Sequence, residues 1–286
     1  MDAYKVILII FLILLIIWIL GKMFFTTNII YDIMCDAKTP ASQDSLALNN
    51  SILTTNANVI NNFPHNNTSN FMISVWFYID DWENSISKEK NILFMSTTPN
   101  ARTLFTGSDQ IGISQKECRP FQTTNPYKNL NICLDDYNNN LLIDIETLPQ
   151  SQGMDSSYCY TRYLIKNVSV QKWNCLTISV DTKILDVYLD GKLRNSFILP
   201  NIYNSHYPSE SNIPKKIYLG HIGNNALGFE GIITRVRFEP NSINPQEAYN
   251  IYKEGINSSL AKSLYDKYSM KVSFLEYNKE KGSFTI

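Results

Sequence analysis

The stretch from Trp173 to Leu199, WNCLTISVDTKILDVYLDGKLRNSFIL, leaves this chain little choice of secondary structure. Apolar and polar residues alternate through it with period two, and β-branched and aromatic types dominate. The alternation breaks at Asp181-Thr182-Lys183 and again at Asp190-Gly191. Asp-Gly between alternating runs predicts a tight hairpin, because glycine accepts the positive φ that such a turn requires. Strand, turn, strand, turn, strand is therefore expected. A second run, FMISVWFYI from Phe71, interleaves Met72, Ser74, Trp76 and Tyr78 with Phe71, Ile73, Val75, Phe77 and Ile79. It predicts a strand packed on both faces. NILFMS (91–96), LLIDIE (141–146), KKIYLG (215–220) and GIITRVRF (231–238) read as further strands. One short helix is expected, Pro245 to Glu254, with Asn244 as its cap, Pro245 in the first helical position and Gly255 as its stop. Ala248, Ile251 and Tyr252 share one of its faces. Many short strands, regular turns and a single helix predict an all-β antiparallel sandwich or jelly roll. No repeat of propeller length is present.

Val6 to Leu20, VILIIFLILLIIWIL, contains no polar residue. Ala3, Tyr4 and Met23 to Phe25 lengthen the run, and Lys5 and Lys22 can snorkel to the two interfaces. The following GKMFFTTN offers no small-residue cleavage site, so an uncleaved membrane anchor over residues 4–25 is expected rather than a signal peptide. Lys5 and the amino terminus oppose Lys22 and Lys38 almost evenly, which leaves the orientation open. The organisation predicted is an anchor (1–25), a juxtamembrane stalk (26–41), a sandwich (42–256) and a C-terminal extension (257–286) that forms a last hairpin or a partner-binding tail. A net charge of −1 and the lack of a basic stripe argue against nucleic acid as a partner. Five cysteines without CxxC spacing, and with no histidine nearby, exclude a zinc site. They are compatible with one or two disulfides or with free thiols.

Three segments carry a resemblance. SNFMISVWFYIDDWENSISKEKNILF is similar to the strand and Trp loop of laminin-G-like, concanavalin A-like jelly rolls. VQKWNCLTISVDTKILDVYLDGKL resembles their hairpin, and IYLGHIGNNALGFEGIITRVRFEPNSINPQEAYNIYKEG their closing strand and helix. The resemblance covers roughly Ser42 to Gly255 and is most pronounced with the forms encoded by nucleocytoplasmic large DNA viruses. It implies a concanavalin A-like antiparallel β-sandwich with a closing helix, doing binding or assembly work at a virion or host membrane. A virion membrane or minor capsid component with a capsid protein as partner is the expected role. A lectin that binds host glycans is the alternative, and a glycoside hydrolase a more distant one.

The residues weigh against the hydrolase. Some concanavalin A-like enzymes carry Glu-x-Asp-x-Glu on one strand, so that alternate carboxylates flank the same sugar bond. Here LIDIE supplies Asp144 and Glu146 but places Leu142 at the nucleophile position. The expectation is a sandwich strand with two solvated acids and no catalytic residues. Trp82, Tyr203 and Tyr207 are the aromatics expected to stack on a sugar if exposed. Asp80, Asp81 and Glu83 cluster at a strand end as calcium ligands do in laminin-G-like domains. Calcium is the one ion so suggested, and no other cofactor is expected. His65, His206 and His221 stand apart from any Ser or Cys nucleophile motif, His221 reading as a turn residue. Asn66, Asn67, Asn167 and Asn257 begin N-x-S/T sequons, which carry little weight in so asparagine-rich a chain.

Overall fold

The computed structural model describes residues 29–37, 59–61, 69–82, 86–105, 114–120, 127–148, 157–205, 215–223, 226–256, 271–276 and 279–285. In chain order the strands are β1 (Ile29–Asp36), β2 (Val59–Ile60), β3 (Phe71–Asp81), β4 (Lys90–Ser96), β5 (Ser114–Pro120), β6 (Leu130–Leu134), β7 (Leu141–Thr147) and β8 (Ser157–Ile165). There follow β9 (Trp173–Asp181), β10 (Ile184–Leu189), β11 (Lys192–Ile198), β12 (Lys216–Leu219), β13 (Glu230–Glu239), helix α1 (Pro245–Glu254), β14 (Lys271–Glu276) and β15 (Lys279–Thr285). The first sheet runs β1-β13-β3-β9-β10-β11 and the second β2-β12-β4-β6-β7-β8-β5, with antiparallel pairing between all the named strands. One face of each sheet contributes to a common core. Phe71, Ile73, Val75, Phe77 and Ile79 of β3 meet Leu130, Ile132, Ile143 and Ile145 of the second sheet. The molecule is an antiparallel β-sandwich.

The two signals that predicted β3 and the β9–β11 meander hold. Strand β3 is buried on both faces over most of its length. Asp190 and Gly191 take φ of 51° and 71°, the positive values that a two-residue hairpin needs. Gly191 is constrained twice, since a Cβ there would also lie 2.8 Å from the Tyr252 Cβ of α1.

Helix α1 forms as its residues predict. Asn244 and Glu247 make a reciprocal capping box, Pro245 occupies the first turn, and Gly255 ends the helix at φ 70°. Ala248 and Ile251 are buried, and Tyr252 stacks on Trp76 with ring centroids 5.8 Å apart. The helix thus covers the outer face of the first sheet, where Met72, Trp76, Cys175 and Ile251 form a small apolar cluster. Ser179 Oγ donates to the Ile243 carbonyl and accepts from the Ile243 amide, which fixes the approach to the helix.

Strand β1, eight residues long, lies within the segment 26–41 that was expected to be a stalk. It pairs with β13 as an edge strand, and Cys35 and Ala37 are buried in the sandwich. Short apolar runs interrupted by polar residues, as in IIYDIMCD, satisfy an edge strand as well as a linker, and only the presence of β13 selects between them. The Gly-Phe-x-Gly motif records this contact. A Cβ on Gly228 would fall 1.6 Å from the Ala37 carbonyl oxygen, so the chain after β1 fits only against a glycine. Beyond α1, β14 and β15 form the last hairpin anticipated for the C-terminal extension. Among the described residues no helix is long and apolar enough to cross a membrane, and the expected anchor over residues 4–25 lies outside them.

Candidate functional site

Alternation in β6, β7 and β8 places Leu130, Ile132, Leu141, Ile143, Ile145 and Tyr163 in the core. Their neighbours point to the opposite face. Those neighbours form three cross-strand rows. Cys133, Leu142 and Leu164 make an apolar row. Asn131, Asp144 and Arg162 stand in direct register one step along. Glu146 and Tyr160 form the third, joined by Asn129 just before β6.

The middle row is a charge network. Arg162 donates from Nε to Asp144 Oδ1 at 2.5 Å and from Nη2 to Asp144 Oδ2 at 2.7 Å, and it also engages both oxygens of Glu89. Asp144 accepts a further bond from Asn131 Nδ2 at 2.9 Å. Asn131 Oδ1 in turn accepts from Lys128 Nζ at 3.1 Å. Burial works against the charge on Arg162, but the Asp144 carboxylate beside it outweighs that and raises its pKa. Burial lowers the pKa of Lys128. Burial also raises the Cys133 thiol well above its ordinary range, so it is an inert thiol donating weakly to Glu89.

The third row holds Glu146, to which Asn129 Nδ2 donates and to which Tyr160 Oη donates at 3.0 Å. Burial raises its pKa, opposed by Lys215 and by these donors. Lys215 is pushed down to about 8 by its own burial, against the pull of Glu146. Its Nζ donates to the carbonyls of Asn204 and Ser205 at 3.0 and 3.1 Å. Burial therefore drives both members of this pair toward their neutral forms.

This face is closed from above. Phe94 stacks on Tyr218 and joins Ala101, Ile222 and Ala226 in an apolar cluster. Lys128 Nζ lies 4.6 Å from the Phe94 ring centroid, and the Arg162 guanidinium 5.3 Å from that of buried Phe105. Asp144 and Glu146 are only 4% and 3% exposed. The expectation of two solvated acids is corrected: the acids are buried because the segment around Ala101 to Phe105 folds over them, and they are tolerated because each is bonded. Leu142 occupies the apolar row, so β7 itself supplies no third carboxylate.

The other predicted residues fall elsewhere. Tyr203 is in the core, 3% exposed, with its ring 4.7 Å from that of Phe71. No sugar reaches it there, and that expectation is corrected by the bridge from Thr147 to Tyr203 that draws the segment inward. Trp82 is half-buried against the core, with Lys90 Nζ 4.6 Å from its ring centroid. Asp80 and Asp81 are exposed at the end of β3, while Glu83 and Tyr207 lie outside the described residues. Among the described residues no three His, Cys, Asp or Glu side chains are placed to hold a metal ion. Cys118 and Cys159, opposite each other on β5 and β8, form a disulfide, and Cys35, Cys133 and Cys175 are free and buried.

Two features escape a reading of the sequence by motif. Polar residues at alternate positions of NICL and DIET were the available signal for the charge network, but they read equally as solvated strands. The turn LDDYNNNLL between β6 and β7 exposes Tyr137 to 56% among asparagines and aspartates. Asp135 organises that turn, accepting from Asn140 Nδ2 at 3.0 Å and from the Asp136 amide at 2.8 Å. Burial, then hydrogen bonding and repulsion from Asp135, raise the Asp136 carboxyl to about 6.

No protein-family model matches the chain, and no curated protein matches it. Solved structures that superpose on it include the botulinum neurotoxin serotype G binding domain, at 14% identity over 64% of this chain and 36% of that one, with a TM-score of 0.40. The binding domain of botulinum neurotoxin DC in complex with rat synaptotagmin II is another, at 12% identity over 65% and 35%, with a TM-score of 0.37. A third is from botulinum neurotoxin type C, whose passage into cells depends on interaction with two ganglioside molecules, at 12% identity over 66% and 36% and a TM-score of 0.37. The match spans little more than a third of each of these chains.

Proposed function

We propose that this chain is a single-pass, N-terminally anchored binding and assembly protein without enzymatic activity, presenting one laminin-G-like, concanavalin A-like jelly roll at a membrane. One observation carries the reading: the acids that a sandwich hydrolase would expose are closed over and neutralised. Asp144 is clamped by Arg162 and Glu146 is surrounded by donors, with an apolar row where a nucleophile would stand. Chemistry on a glycosidic bond needs the opposite arrangement, with open carboxylates on either side of a bound sugar. Residues 4–25 supply the anchor, which restricts the sandwich to a surface and makes weak contacts effective through avidity. The Cys118–Cys159 disulfide favours maturation in an oxidising place. Within this reading the protein is a virion membrane or minor capsid component that links the membrane to a protein shell.

Mass spectrometry of purified particles, before and after mild detergent, tests the role. Stoichiometric protein that stays with the shell after membrane extraction is the expected outcome. Loss with the membrane, or absence from particles, sinks the linker role.

Glycan binding is the second reading, and Tyr137 favours it. An exposed aromatic ring flanked by Asn138, Asn139 and Asp136 combines a stacking surface with hydrogen-bonding side chains. A glycan array probed with the chain and with Tyr137→Ala separates the two: binding that disappears in the variant establishes a lectin, and silence in both returns the work to assembly.

A further inference from the structure

The end of the first sheet from which β1 starts also carries an exposed apolar pair. Ile184 and Ile198 are direct cross-strand partners in the β10–β11 hairpin. Leu185 and Phe197 beside them point into the core, so the two isoleucines point outward. They are 47% and 84% exposed, and Ile198 is the most exposed of the large apolar side chains described. Helix α1 covers the other end of this hairpin, at Gly191. The adjoining turn presents Lys183, also exposed, whose carbonyl accepts from the Leu199 amide at 2.7 Å.

The ladder shows which end this is. Ile29 opens β1 opposite Phe238, near the end of β13. Phe238 pairs with Ile73 near the start of β3, Phe71 with Val180 near the end of β9, and Asp181 with Ile184. Ile29 and the isoleucine pair therefore lie at the same end of the sheet, on opposite edges. Four strand spacings of about 4.8 Å to Ile184 and five to Ile198 put them roughly 19 and 24 Å from Ile29.

We propose that this end of the sandwich rests on the lipid surface, with Ile184 and Ile198 in the interfacial layer and Lys183 among anionic headgroups. The inference rests on the anchor reading given above. If residues 4–25 span the bilayer, four peptide units separate Phe25 from Ile29, a reach of at most about 14 Å. A domain held that close meets the headgroups with some part of its surface. Only the end that contains the start of β1 can do so while also bringing the exposed pair into the interface. Apolar side chains beside a lysine suit that layer, where hydrocarbon and anionic charge adjoin. Asp181 and Asp186 nearby keep their charge, so the two isoleucines carry the contact and Lys183 offsets part of the carboxylates' repulsion from the headgroups. Asp181 accepts from Asn70 Nδ2 at 3.0 Å, Glu239 is paired with Arg237 at 2.7 Å, and Asp186 accepts from Ser196.

The test uses the full chain reconstituted in phosphatidylcholine–phosphatidylserine vesicles that contain nitroxide-labelled lipid. An environment-sensitive fluorophore is attached at Ile198→Cys or, as the far-end control on the same hairpin, at Lys192→Cys. The three free cysteines are buried and Cys118 is in a disulfide, so labelling is selective. Quenching at position 198 with none at 192, weakened by Ile184→Ser, is the expected result. Equal quenching at both, or none at 198, in protein that resists alkaline carbonate extraction overturns the docking while the anchor stands. Release by carbonate removes the anchor reading and the docking with it.

Discussion

Each outer face of this sandwich is covered over part of its area, and by different chemistry. The first sheet is closed by α1 through contacts that are mainly aromatic and aliphatic: Trp76 on Tyr252, Ile251 and Ala248 on the strands. Two buried arginines lie beside these contacts: Arg235 donates to the Gly255 carbonyl and Arg237 approaches Glu254 at 3.4 Å. The second sheet is closed over a fully buried Arg162 that holds Asp144 and Glu89. An apolar cover gains stability from area and tolerates imperfect geometry. A charged cover gains little net stability over an apolar one, but every member depends on its partner. The first arrangement fails gradually and the second all at once.

Substitutions can break or sharpen this contrast. Arg162→Ala strands two carboxylates inside the structure, and a loss of about 3–5 kcal/mol is expected in urea unfolding. Asp144→Asn in that background should recover part of it; no recovery would mean that the cover, and not the charge pairing, sets the stability. Trp76→Ala removes the centre of the apolar cover and should cost about 3 kcal/mol, near the low end for such truncations because α1 can settle toward the sheet. If it proves costlier than Arg162→Ala, the contrast is reversed. Replacing Cys118 and Cys159 by serine opens a 41-residue separation and should lower stability by about 2–3 kcal/mol, read as a fall in the urea midpoint with a steeper slope, because the opened chain exposes more surface on unfolding. Asn244→Ala loses the helix cap and should cost about 1 kcal/mol, confined to the helical face in hydrogen exchange.

The smallest effect is a pH slope at the β6–β7 turn. Asp136 rises from 3.8 in the unfolded chain to about 6 in the folded one. Between those values the folded state holds the extra proton, so this group's contribution to stability falls as pH rises from about 4 to 6. Asp136→Asn should flatten that part of the stability profile. An unchanged profile would show that the turn opens without cost.

Strands β3, β9, β10 and β11 of the first sheet were legible residue by residue. In Phe71 to Ile79 and Trp173 to Leu199 the periodicity, the β-branched content and the Asp-Gly turn all act within a few residues, so no distant contact can alter what they favour. The cap, proline and stop of α1 were legible for the same reason. The candidate site was not. Asn131, Asp144 and Arg162 are separated by 13 and 18 residues along the chain, and only the β6-β7-β8 register brings them into one row.

What the sequence by itself determined is thus the local conformation of its strongly patterned segments: that they are strands, where they turn, and where the one described helix starts and stops. Short-range sterics and hydrogen bonds decide those questions. What only the tertiary structure decided is the environment of each polar side chain. LIDIE is the same strand whether its acids face water or Arg162, and IIYDIMCD the same run whether it is a tether or an edge strand against β13. Burial depends on which surface the rest of the chain brings over a residue, and that is a property of the whole packing, beyond the reach of any local pattern.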